Sequence, residues 1–213
     1  MSDQEEKERL ILGARDKFFS GGFSKITVDE IAGALGMSKK TVYKFFPSKD
    51  DLIKGVVEFM TSRVRRQIDA VIASNKPFEQ KLAEILAIVG QITKRINPAF
   101  LEDVRRNLPG VWAHIEEFRR VHVFIKVKTL MQQAKDEGVL RQDVNVDLFY
   151  LVFFHAMQGV VNPDTLSRSS FSADEAFRGI FRILFLGAMA SNAEERYQAV
   201  EEILKLHSSQ RPL

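Results

Sequence analysis

Thr27-Val28-Asp29-Glu30-Ile31-Ala32-Gly33-Ala34-Leu35-Gly36-Met37-Ser38-Lys39-Lys40-Thr41-Val42-Tyr43-Lys44-Phe45-Phe46-Pro47-Ser48-Lys49-Asp50-Asp51-Leu52 is the stretch whose reading decides the fold. Thr27 and Glu30 have the spacing of a capping box, in which the hydroxyl caps the third amide and the carboxylate reaches back, so a helix is predicted over 28–35. Gly36 allows a tight turn, Met37 can plug the interior, and Ser38 is a good N-cap for a short helix over 39–46. Pro47 stops that helix. Ser48 to Asp51 starts the next, with Asp50 and Asp51 at its positive end, and that helix is predicted to run to about Ala73. Two short helices separated by Gly36 have the form of a helix-turn-helix.

At 100° per residue, Lys39, Lys40, Tyr43 and Lys44 fall within an arc of roughly 140° on the second short helix, while Val42, Phe45 and Phe46 lie on the other side. Between Gly36 and Lys49 there are four lysines and no acid. A phosphate backbone would meet an unopposed positive surface there, and Ser38, Thr41 and Tyr43 add neutral donors of the kind that bond phosphate oxygens. Taken alone, a cationic helix face is also what a solvated surface helix looks like.

Working outward, Leu10, Ile11, Ala14 and Phe18 recur at helical spacing until Gly21-Gly22 supplies a stop. Beyond Asn75-Lys76-Pro77 the periodicity stays helical, with breaks near Asn97-Pro98, Leu108-Pro109-Gly110, Gly138 to Asn145 and Asn162 to Phe171. The expectation is an all-α protein of two domains: residues 1–48 as a helix-turn-helix domain, and residues 49–213 as a larger helical domain reached through the long helix. The net charge of +3 is too small to identify a nucleic-acid binder, so local clustering has to carry that argument. The absence of cysteine excludes disulfides and thiolate-ligated metals. Met1-Ser2-Asp3-Gln4-Glu5 has neither the basic nor the apolar region of a secretory signal, and the weakly charged run Leu148 to Val161 is shorter than the ~20 residues that cross a bilayer. A cytoplasmic protein with no membrane partner is expected.

The stretch 27–52 resembles the signature of the TetR family of transcriptional regulators. Ala14-Arg15-Asp16-Lys17-Phe18-Phe19, followed by Gly21-Gly22-Phe23, is similar to that family's opening helix, so the likeness covers about the first quarter of the chain. The resemblance implies that Lys39, Lys40 and Lys44 approach base edges and that Thr27, Ser38, Thr41, Tyr43 and Lys49 hold phosphates of double-stranded operator DNA. Phe45 departs from the pattern, since a histidine is frequent there, and removes one possible phosphate or sugar contact. The resemblance also implies a homodimer, paired through the last two large helices, whose C-terminal domain senses a small-molecule effector and governs repression.

The residues of the larger domain have to be read on their own. Leu148 to Phe154, and Phe177, Ile180, Phe181, Ile183, Leu184 and Phe185 in the next helix, are apolar nearly all round, as in helices buried on two sides. Phe153, Met157, Phe177, Phe181, Leu184 and Phe185 are the dimerisation candidates. Aromatics mixed with helix breaks over 97–118 could wall a pocket, and Phe100, Trp112, Phe118, His122, Tyr150 and Phe154 are the candidates for a largely apolar effector, although each could be ordinary core. His114, His122 and His155 show no metal-ligand spacing, and there is no phosphate-cradling glycine loop, dinucleotide fingerprint or Gly-x-Ser-x-Gly elbow. Hence no catalytic residue, metal or cofactor is called for. The alternatives are a constitutive DNA-binding dimer without a physiological ligand and, further off, an all-α enzyme using the C-terminal domain. The lysines of the second short helix argue against the enzyme.

Overall fold

The computed structural model describes residues 2–93, 96–190 and 193–208, which form helices and connecting turns with no strand among them. In chain order the helices are α1 (Asp3–Gly21), α2 (Val28–Leu35), α3 (Lys39–Phe45), α4 (Lys49–Ala73), α5 (Phe78–Thr93), α6 (Pro98–Asn107), α7 (Pro109–Phe118), a π-helical segment (Arg119–Phe124), α8 (Ile125–Asp136), α9 (Val146–Val160), α10 (Pro163–Leu166), α11 (Ala173–Ala188) and α12 (Ala193–Ser208). They gather into two compact units, Met1–Arg63 with Arg95–Glu116, and Val64–Lys94 with Glu117–Leu213.

In the N-terminal unit the local signals act where the sequence places them. The Ser2 hydroxyl accepts from Glu5 N and the Thr27 hydroxyl from Glu30 N, each completing a capping box. Gly36 closes α2 at φ 61°, a left-handed conformation that favours glycine, and the Ser38 hydroxyl then accepts from Thr41 N to start α3. Gly13 permits close packing of α1 on α2, because a Cβ there would lie 2.5 Å from Leu35 Cδ2. The Arg9 guanidinium reaches across to donate to the Leu35 carbonyl at the end of α2.

The core of this unit contains Leu10, Phe18, Ile31, Val42, Leu52 and Ile53 from the first four helices, together with Phe100, Leu101, Val104, Leu108 and Val111 from α6 and α7. The expected division between residues 48 and 49 and the compact units therefore differ: α6 and α7 belong with the N-terminal helices. Three short helices bury little apolar surface by themselves, and the added helices enlarge that core. Asn97 N donates to Phe19 O at 3.1 Å, the rings of Phe19 and Phe100 lie 5.0 Å apart, and Asp103 accepts from both the backbone and the hydroxyl of Ser24.

The C-terminal unit is built on phenylalanine. Phe78 stacks on Phe185 at 5.6 Å, Phe181 on Phe185 at 5.0 Å, and Phe153 meets both Phe177 and Phe181 edge-on. Lys81 on α5 is buried, and its ammonium donates to the Ile72 carbonyl in the last turn of α4 and to Gln133 Oε1 on α8, at 3.0 and 3.3 Å. Helix α9 was expected to be buried on two sides, and within this chain it is buried on one. Phe149, Phe153 and Met157 face the core, whereas Leu148, Leu151 and Val152 are exposed, as is Ile183 on the neighbouring α11.

Candidate nucleic-acid interface

Helix α3 is only two turns long, and its orientation is set by one buried side chain: Val42 is 1% exposed. With Val42 turned in, Lys39, Lys40, Tyr43 and Lys44 are all exposed, Tyr43 at 41% despite its ring. Phe45 packs partly against the core, which accounts for an apolar residue at that point, and its ring receives the Lys44 ammonium at 5.0 Å. Phe46 is buried and presses on Gly55 of α4. The outward face is thus cationic and hydroxylic, as its spacing predicts.

The remaining candidates differ in how free they are. Ser38 and Thr41 share a hydrogen bond between their hydroxyls at 2.8 Å, and the Thr27 hydroxyl donates to Glu30 Oε2 at 2.8 Å while serving as the α2 cap. Each therefore has a structural duty beside any contact with phosphate. Bonds from the Thr27 backbone and side chain hold the Glu30 carboxyl below its ordinary pKa. Lys49 is half-buried, lies 4.4 Å from the Phe23 ring centroid and approaches the Ser24 carbonyl at 3.4 Å. Burial lowers the pKa of its ammonium, only partly offset by Asp103, Asp50 and Glu30.

Two acids invisible to the local reading complete the surface. Asp29 Oδ2 receives the Lys39 ammonium at 2.8 Å, and both oxygens of Asp3 receive that of Lys44, at 2.8 and 2.9 Å. Those hydrogen bonds raise both lysine pKa values. Asp3 is 41 positions away from Lys44, and no motif of local spacing could have flagged it.

The structure separates the effector candidates. Phe100 is buried and Trp112 partly buried in the core of the N-terminal unit. In the C-terminal unit Phe118 lies 5.7 Å from His122, and Tyr150 stacks on Phe154, whose ring also meets Phe124 edge-on at 5.1 Å. His122 and Phe124 belong to the π-helical segment, a backbone departure that recurs at functional sites. Of the dimerisation candidates, Phe153, Met157, Phe177, Phe181 and Phe185 point into the unit's own core and Leu184 is half-buried. An apolar pattern all round a helix does not say which side meets its own chain, and here the larger aromatic residues do. Among the described residues no cluster of three or more His, Asp or Glu could hold a metal ion, and no helix is long and apolar enough to cross a membrane.

A left-handed glycine turn between two short capped helices, the second held by one apolar side and presenting lysines on the other, defines a helix-turn-helix DNA-binding protein. Residues 10–56 match the family model of bacterial regulatory proteins, tetR family. The chain is 28% identical over 171 residues to the uncharacterized HTH-type transcriptional regulator YvaF of Bacillus subtilis, covering 79% of this chain and 88% of that one. A solved γ-butyrolactone receptor, described as ArpA-like, is similar with a TM-score of 0.65 and 18% identity, over 99% of this chain and 100% of that one. The regulator FadR of B. subtilis, solved with stearoyl-CoA, is similar with a TM-score of 0.61 and 14% identity, over 83% and 96%. Residues 10–56 thus carry the helix-turn-helix of the tetR-family model, and the chain as a whole is similar to DNA-binding transcriptional regulators of that kind.

Proposed function

We propose that this regulator is a homodimeric repressor that reads an inverted-repeat operator with α3 and releases it when a small, largely apolar effector occupies the C-terminal unit. The observation that carries the DNA reading is the outward set Lys39, Lys40, Tyr43 and Lys44, placed by the single buried residue Val42. Ser38, Thr41 and Thr27 are assigned to phosphates, and Lys49, half-buried against Phe23, to a phosphate at the margin. Residues 1–48 carry this reading, and residues 49–213 carry effector binding and dimerisation. A cytoplasmic site of action goes with contact to DNA.

The dimer is assigned to the outer faces of α9 and α11. Leu148, Leu151, Val152 and Ile183 are exposed there, and Phe153, Met157, Phe177, Phe181, Leu184 and Phe185 hold the same two helices from within. A twofold pairing of this face presents two copies of α3, which must read inverted half-sites. The effector is assigned to the ring group Phe118, His122, Tyr150 and Phe154 beside the π-helical segment. Its apolar class is supported by that lining and by the γ-butyrolactone and stearoyl-CoA named for the two similar structures.

The test has two parts. Selection from a randomised duplex library should recover a near-palindromic site, protected on both halves by a species that sediments as a dimer. Stearoyl-CoA and an alkyl γ-butyrolactone are then titrated calorimetrically with and without that site. An effector should weaken operator binding about 5- to 150-fold, and the operator must weaken the effector by the same factor. A monomer that protects one asymmetric half-site would refute the dimeric reading. Saturating binding that leaves operator affinity unchanged would refute effector release and favour constitutive binding.

A further inference from the structure

Two of the three lysines of α3 are already paired with acids of the same chain. Lys44 is held by both oxygens of Asp3, the first residue of α1, and Lys39 by Asp29 in the first turn of α2. The two acids come from α1 and α2, and among the described residues Lys40 is the α3 lysine without an ion pair. Exposure decides the character of these pairs: the side chains are 53% and 74% exposed for Lys44 and Asp3, and 52% and 65% for Lys39 and Asp29. Nothing buries them, so the pairs are weak, screened and open to exchange.

A carboxylate oxygen and a phosphate oxygen offer an ammonium the same charge-assisted bond at nearly the same length. In a sequence-independent complex, where the α3 lysines meet phosphodiesters rather than base edges, Lys39 and Lys44 exchange one anion for another, and each displaced carboxylate is left facing a negative polymer. We propose that Asp3 and Asp29 are built-in competitors of the DNA phosphates that attenuate the sequence-independent affinity of α3. Lys40 then supplies the uncompensated charge of the helix. This inference rests on α3 being the DNA-contacting helix. It concerns how strongly that helix binds any duplex, not which sequence it selects.

The test measures binding to a scrambled-sequence duplex over a range of salt for the full chain and for Asp3→Asn, Asp29→Asn and the double variant. Each single change should tighten binding about 2- to 5-fold per recognition helix and steepen the salt dependence by up to ~1 unit of slope, with the double variant roughly the product. In a Lys44→Ala background the gain from Asp3→Asn should shrink to that of Asp136→Asn, an equal change of charge on α8. Unchanged affinity and slope in the Asn variants would overturn the proposal. Weaker binding would also overturn it, and would make the acids positioning residues for the lysines. Replacing Lys39, Lys40 and Lys44 together by Ala separates the two levels. If that variant binds as the wild type does, α3 is not the contact. If it fails while the Asn variants change nothing, only the competition is wrong.

Discussion

The two units place their helices with a different balance of polar end groups and aromatic packing. In the N-terminal unit, polar groups at helix ends act beside the apolar core: the Ser2, Thr27 and Ser38 caps, the left-handed Gly36, and Asp103 gripping Ser24. In the C-terminal unit rings weigh more, with Phe78, Phe153, Phe177, Phe181 and Phe185 packed on one another. End groups leave whole helix faces free for a chemical task, which α3 spends on lysines. An aromatic core consumes the inward faces, and the outside of α9 and α11 carries the apolar Leu148, Leu151, Val152 and Ile183 among polar neighbours such as His155 and Arg182.

Substitutions at each kind of joint should separate the two designs by size of effect. The largest is Phe181→Glu, which puts a carboxylate where the ring is 1% exposed between Phe153 and Phe185. A loss of about 4 kcal/mol or more is expected from the missing ring and the buried charge together, enough to unfold the C-terminal unit in thermal or denaturant melts. Gly36→Ala comes next. Space around it is open, so the cost is conformational alone, about 1–2 kcal/mol, and should appear as a lowered melting midpoint.

A smaller effect, confined to acid, is expected at Asp103. Its burial raises the carboxyl pKa, but the bonds from Ser24 and Asn107 and the charge of Lys49 outweigh that and hold it below the ordinary value. A depressed folded-state pKa stabilises above the unfolded value and loses that contribution as pH falls through the folded one. Asp103→Asn should therefore flatten the acid limb of the stability profile, and an unchanged limb would deny the clamp its role. The smallest change in stability is expected for Ile183→Glu, within about 0.5 kcal/mol, because that side chain is 74% exposed. The same variant should nonetheless sediment as a monomer. A stable dimer would move the interface elsewhere.

This contrast also explains what could be read beforehand. Thr27, Gly36 and Ser38 act over three or four residues, and local chemistry of that kind is legible one residue at a time. The same holds for the inward turn of Val42 and the stop at Pro47. Joining α6 and α7 to the N-terminal helices depends on Phe100 meeting Phe19, 81 positions apart in a pattern where any phenylalanine would look alike. Phe153 and Leu151 sit two positions apart on α9, yet one is in the core and the other outside, because an all-round apolar helix carries no phase in its sequence. The partners Asp3 and Asp29 were hidden for a related reason: an ion pair between helices follows from their packing, not from spacing along either one.

The proposed reading of DNA rests on the outward face of α3, and one measurement reaches it directly. Operator and scrambled duplexes are titrated against the wild type and against the variant with Lys39, Lys40 and Lys44 all replaced by Ala, after circular dichroism and sedimentation show helix content and assembly unchanged. Loss of specific binding, with a salt slope shallower by up to ~3 units per recognition helix, is the predicted result. Wild-type affinity, selectivity and salt slope in that variant would contradict it.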